Sequence, residues 1–420
     1  MPTTTKRRKH NLLRFPSSKR ERRRLLRESQ DIRVRVVTAL RTVCGWLLVA
    51  AVFLFLVSNY RLLSPASLQS VLQYAAAGLR QQEGDATTIA YENGSFIDAA
   101  LFEGGLAYAD SDSLFLARPG GHETLRKPLS FPAPAVDACR SHVLTYDRGG
   151  TAAVLTTAYS TAAEVTVSSP IITGSIAENG HFALVTNEQG YRTAVAVYDT
   201  RGKEVFKFQS SEYYILSAAL SPDAKTLAAL AFRQDGVMLD SHVLLYSVST
   251  GERLADATLE GVLGLELRFL SGGEAAVLAD DGLYLVDRRG GIERLLSVAA
   301  NDLLTFSLSG DGLALAARSY SGDARCDLYT MQGDGTLAGP FPLSEEPSAV
   351  ALSDAGIAVL TSGGVSVYDR AGAAQWHNGE AVGARRVLLT DDGTVYALYA
   401  KNTRLFTAHS THSEGISDAT

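Results

Sequence analysis

This sequence predicts an all-β fold, a β-propeller of about eight four-stranded blades, with seven blades as the alternative. Three observations carry that reading: a polar turn that recurs about every 40 residues, a near-continuous apolar run after each turn, and a further strand that closes on an Asp-to-Gly turn. Radial repetition of such units buries their apolar faces against one another and leaves few free strand edges.

The recurring turn is Phe102-Glu103-Gly104-Gly105 at its first occurrence and Thr390-Asp391-Asp392-Gly393 at its last. Measured from Glu103, Arg140, Glu178, Pro222, Gly272, Gly310, Asp354 and Asp391, the steps are 37, 38, 44, 50, 38, 44 and 37 residues. After the turns come His181-Phe182-Ala183-Leu184-Val185, Leu227-Ala228-Ala229-Leu230-Ala231-Phe232, Ala275-Ala276-Val277-Leu278 and Ile357-Ala358-Val359-Leu360. Runs without polar alternation are what strands buried on both faces require. The next strands end in Tyr198-Asp199-Thr200-Arg201-Gly202, Val286-Asp287-Arg288-Arg289-Gly290 and Tyr368-Asp369-Arg370-Ala371-Gly372. Asp and Gly there suit a hairpin that needs positive φ.

The last unit has room for three strands, at 386–389, 395–399 and 404–407, so residues 87–91 are expected to supply its fourth strand and close the ring. The second unit is irregular, because Tyr146-Asp147-Arg148-Gly149-Gly150 follows its second strand instead of its third, and this keeps seven blades open.

Ahead of this domain, nineteen uncharged residues (42–60) separate Arg41 from Arg61. Residues 1–41 carry fourteen Lys or Arg against Glu21, Glu28 and Asp31, a net of +11 in a chain whose total is −6. An apolar run of roughly 20 residues spans a bilayer, and basic flanks stay inside. The expected order is a cytoplasmic basic arm (1–41), a single-pass signal anchor in the cell membrane (42–60), a juxtamembrane helix and linker (61–86), an extracytoplasmic propeller (87–410) and a disordered tail (411–420). Within 61–86, Ser64–Arg80 reads as a helix with Leu68, Val71, Leu72, Ala75 and Leu79 on one face. The arm serves as a topology determinant or as a binder of anionic lipid heads. No aromatics interleave with its charges, so a nucleic-acid partner is not expected.

Cys139 and Cys326 are the cysteines beyond the apolar run, too few for a disulfide scaffold, and both read as small buried hydrophobes. No nucleophile elbow, zinc-helix motif, phosphate loop or Cys-x-x-Cys occurs, so no catalytic residue, metal or cofactor is assigned. The region nominated for partner binding is the set of loops entering the innermost strands, which cluster at one mouth of a propeller channel. They are expected to present Asp137, Glu212, Tyr213, Tyr214, Asn301, Asp302, Glu345, Glu346 and Arg385. Carboxylates among tyrosines suit a protein or glycan ligand, since Tyr offers a stiff apolar body with a polar tip. The competing reading packs Tyr213 and Tyr214 between blades.

The stretch Ser211-Glu212-Tyr213-Tyr214-Ile215-Leu216-Ser217-Ala218-Ala219-Leu220-Ser221-Pro222-Asp223, together with Leu144-Thr145-Tyr146-Asp147-Arg148-Gly149-Gly150 and Tyr198-Asp199-Thr200-Arg201-Gly202, resembles the bacterial family DUF5711. The resemblance covers nearly the whole chain and implies a membrane-anchored propeller of unknown function. It brings no established catalytic residues. Three functions follow from this reading: a scaffold that binds a partner in the cell envelope, a single-pass envelope sensor, or an envelope hydrolase or lyase. The scaffold is preferred, because no signalling module fits within the 41-residue arm and no catalytic motif is present.

Overall fold

The computed structural model describes residues 43–46, 50, 88–119, 121–235, 238–320 and 325–407. The chain divides into two units, Met1–Pro65 and Ala66–Thr420. In the first, residues 43–46 are helical, and no described helix is long and apolar enough to cross a membrane. The basic arm, the rest of the 42–60 span, the helix expected at 64–80 and the tail from 411 lie outside the described residues.

The second unit contains eight four-stranded antiparallel sheets. These are blades 1 to 8, at residues 98–128, 134–166, 171–210, 214–259, 264–297, 303–343, 349–378 and 386–406, the last completed by Thr88–Ala90. The seven-blade alternative is therefore set aside. The first strands of successive blades lie against one another and surround a channel. Each predicted polar turn joins a first strand to a second, so all these turns gather at one mouth, the turn mouth. At the opposite loop mouth the chain crosses from the outer strand of one blade to the inner strand of the next.

One apolar cluster fills each seam between neighbouring blades. The second strands show why their sequences do not alternate. In blade 4, Leu227, Ala229 and Ala231 pack toward blade 3, whereas Ala228 and Leu230 pack toward blade 5. Successive side chains point to opposite faces, and in a propeller both faces are interior. The Asp-to-Gly turns fold as expected: Asp369 Oδ1 accepts from the N–H groups of Ala371 at 2.9 Å and Ala373 at 2.8 Å, and Gly372 takes φ 82°. Blade 2 absorbs its irregularity differently, with the Asp tying back to the crossing loop. Its second strand, Val143–Asp147, ends where Asp147 Oδ1 accepts from Ala133 N–H at 3.0 Å, and two further strands complete the sheet.

Closure follows the expected route. Thr88, Ile89 and Ala90 pair with Arg404, Thr403 and Asn402. Tyr91 Oη and Thr403 Oγ1 share a hydrogen bond of 2.6 Å, and Tyr396 Oη, from blade 8, donates to the Gly104 carbonyl of blade 1 at 2.9 Å. Cys139 and Cys326 are buried and form no disulfide among the described residues, as read from the sequence.

Candidate partner-docking surface

At the loop mouth, the inner strands of blades 3, 4, 5 and 6 each slip register by one residue, between Ile171 and Thr173, Ile215 and Ser217, Gly264 and Glu266, and Leu303 and Thr305. The unpaired residue is aliphatic every time: Ile172, Leu216, Leu265 and Leu304. A β-bulge of this kind leaves one residue outside the ladder and re-aims its side chain. Ile172 is 39% and Leu265 41% exposed, and none of the four belongs to a described apolar cluster of the seams. The inner strands of blades 1, 2, 7 and 8 pair without such a slip.

Exposed large apolar side chains are distributed unevenly over the described propeller. Ile97, Ile172, Tyr191, Tyr214, Leu265, Tyr320 and Val382 all stand on the loop face, whereas Val205, Leu254 and Ile292 lie on the blade periphery, at the turn-side starts of outer strands. None stands on a turn between first and second strands.

The residues nominated from sequence separate into three groups. Glu212, Tyr214 and Arg385 are exposed at the loop mouth. Glu212 pairs with Arg233, while the Tyr214 ring stacks on Phe232 at 5.1 Å and carries the Arg192 guanidinium 4.7 Å from its centroid. Tyr213 and Asp302 are on this side but buried, at 5% and 9% exposure, which corrects the reading of Tyr213 as exposed. Alternation along the chain turns Tyr213 into the seam between blades 3 and 4, where its hydroxyl donates to Asp256 Oδ2 at 3.1 Å and its ring meets His242 edge-on at 4.8 Å. His242 is in turn held by Asp256 Oδ1, 2.8 Å from its Nδ1. Asp302 is held by its backbone, with its N–H on the Ala299 carbonyl at 2.9 Å and its own carbonyl accepting from Arg318 at 2.8 Å. Asn301, Glu345 and Glu346 are exposed on the same side, and Glu346 pairs with Arg318 at 3.0 Å.

Asp137 alone is displaced to the opposite end. It is the fourth residue of the inner strand Pro134–Ala138, close to the turn, and it lines a cavity of about 930 Å³ at the turn mouth. There Arg268 Nη1 of blade 5 donates to Asp137 Oδ2 of blade 2 at 3.2 Å, an ion pair across the channel. Asp137 and Glu266 hold the Arg268 proton more tightly than usual. Sequence reasoning did not find Arg268, and residues 131 positions apart leave no local signal. Three of the four bulge residues did leave one, since Ile171-Ile172, Ile215-Leu216 and Leu303-Leu304 are adjacent apolar pairs near the starts of their strands.

The same cavity brings Asp311, Asp354 and Asp391 together from the turns of blades 6, 7 and 8. Partial burial, reinforced by Asp354 and Asp391, raises the Asp311 carboxyl above its ordinary value, although Arg370 and Arg140 oppose the shift. A carboxyl raised in the folded state destabilises folding once the unfolded chain ionises, near pH ~4, and the cost is complete above the raised folded value. Asp311→Asn is therefore expected to raise the melting temperature at pH 7 and to leave it unchanged at pH 3. A variant no more stable than the parent at pH 7 contradicts this.

Fold and surface together define the protein as an eight-bladed β-propeller whose loop side carries most of its exposed large apolar side chains. The chain belongs to DUF5711, a family of unknown function whose model matches residues 84–403. No curated protein matches it. Among solved structures it is similar to Sqt1 of Saccharomyces cerevisiae, with a TM-score of 0.54 at 11% identity over 76% of this chain and 97% of the other. BamB from Moraxella catarrhalis gives 0.50 at 14% over 77% and 99%. The C-terminal WD40 domain of Sif2 gives 0.54 at 14% over 77% and 97%. At these identities the likeness concerns the fold alone.

Proposed function

We propose that the protein is a membrane-anchored β-propeller that binds a protein partner in the cell envelope through its loop face. The observation that carries the binding role is the confinement of exposed apolar side chains at the channel mouths to the loop side. Apolar groups clustered within a polar rim mark association surfaces. The propeller architecture presents loops on rigid blades, a setting suited to partner binding. The anchor reading rests on the +11 arm before the uncharged run 42–60.

A membrane-impermeant lysine reagent tests the topology. Lys225, whose side chain is 80% exposed, is expected to label on intact cells. Lys6, Lys9 and Lys19 are expected to label only after permeabilisation. Labelling of the arm lysines on intact cells, or protection of Lys225, contradicts the reading.

A further inference from the structure

We infer that the loop mouth takes a protein segment of defined chemistry, one bearing leucine or isoleucine side chains among lysines or arginines; this inference rests on the loop-face docking reading above. The apolar half of the argument is the run of bulges. Four consecutive blades each insert one unpaired aliphatic residue, Ile172, Leu216, Leu265 or Leu304, at the same place, while the other four blades insert none. A bulge weakens its ladder locally. Its repetition with an aliphatic residue each time builds a one-sided apolar crescent at the channel rim, with Tyr214 beside it in blade 4.

The charged half is the composition of the crossing loops around the crescent. Among the described residues they expose Glu92, Glu212, Glu260, Glu345, Glu346 and Glu380 against Arg385, and the adjoining second-to-third-strand loops expose Arg192, which lies over the Tyr214 ring, and Lys401. Arg126, Arg233 and Arg318 neutralise Glu92, Glu212 and Glu346. Glu260, Glu345 and Glu380 have no lysine or arginine at ion-pair distance among the described residues. An apolar crescent inside a rim of net negative charge favours a basic, aliphatic segment, and it disfavours a second copy of the same face through like-charge juxtaposition.

The test uses the full chain in zwitterionic nanodiscs, with empty nanodiscs as the blank. Three synthetic peptides of one length are compared: leucines among lysines, leucines among glutamates, and alanines among lysines. The expected result is saturable binding of the first, with the other two weaker by about tenfold or more. Ile172→Glu with Leu265→Glu, at positions exposed enough to accept charge, is expected to abolish that binding while the melting temperature stays within about 2 °C of the parent. Asp354→Ala with Asp391→Ala, at the turn mouth, is expected to leave it unchanged. Equal binding of all three peptides, no binding of the leucine-lysine peptide, or undiminished binding by the loop-mouth variant overturns the inference. So does a dimer of the parent that the loop-mouth variant dissociates, since the crescent is then a self-interface. The docking reading itself fails separately, if partner contacts in cells map to the turn face.

Discussion

Deleting residues 82–96 lowers the melting temperature of the protein by about 10 °C or more, whereas deleting 408–420 shifts it by less than about 1 °C. The first deletion strips the pairing of Thr88, Ile89 and Ala90 from blade 8 and exposes the edge of Asn402–Phe406. It also removes Ile89 and Tyr91, which are 5% and 4% exposed. Two such side chains contribute roughly 5 kcal/mol of burial, before the lost ladder and the hydrogen bond to Thr403 are counted. An open edge also invites pairing between chains, so the deleted protein is expected to aggregate on heating. Thermal melts with light scattering decide it, and equal melting of the two deletions means that the ring closes by another route.

Tyr213→Ala is expected to cost about 3–4 kcal/mol, as for other large buried aromatics truncated to alanine. It empties part of the seam between blades 3 and 4 and takes a hydrogen bond from Asp256, which keeps His242 Nδ1 at 2.8 Å. Tyr213→Phe removes only the hydroxyl and is expected to cost about 1 kcal/mol. Tyr214→Ala, one residue on and 43% exposed, is expected to fall within about 1 kcal/mol of the parent. Chemical denaturation of the three variants measures these differences. A neutral Tyr213→Ala contradicts its place in the core.

Blade number and turn positions were legible because each depends on local chemistry, and ring closure because the last unit holds only three strands and residues 87–91 supply a fourth. The Asp369 and Gly372 turn is written within a few residues, and a second strand such as 227–231 must be apolar throughout once both its faces are interior. Two misplacements at the candidate site come from uncertainty about where each inner strand begins and ends. Assigning a residue to a seam or to the surface requires the strand start to be known within one position, because successive side chains change faces, and assigning it to a mouth requires the strand's extent. Asp137 and Tyr213 sit one strand-end and one alternation step from where the sequence put them. The pairing of Asp137 with Arg268 was not legible, since the radial arrangement of blades 2 and 5 decides it.

The central claim is that a partner docks on the loop face, and site-specific photocrosslinking in intact cells tests it most directly. A photoreactive side chain is placed singly at Tyr214, Leu265 or Val382 on the loop face and at Pro222, Ser271 or Asp354 at the turn mouth. The account predicts the same discrete protein adduct from the loop-face positions and none from the turn-mouth positions. Adducts confined to the turn mouth, or found equally at both, contradict it.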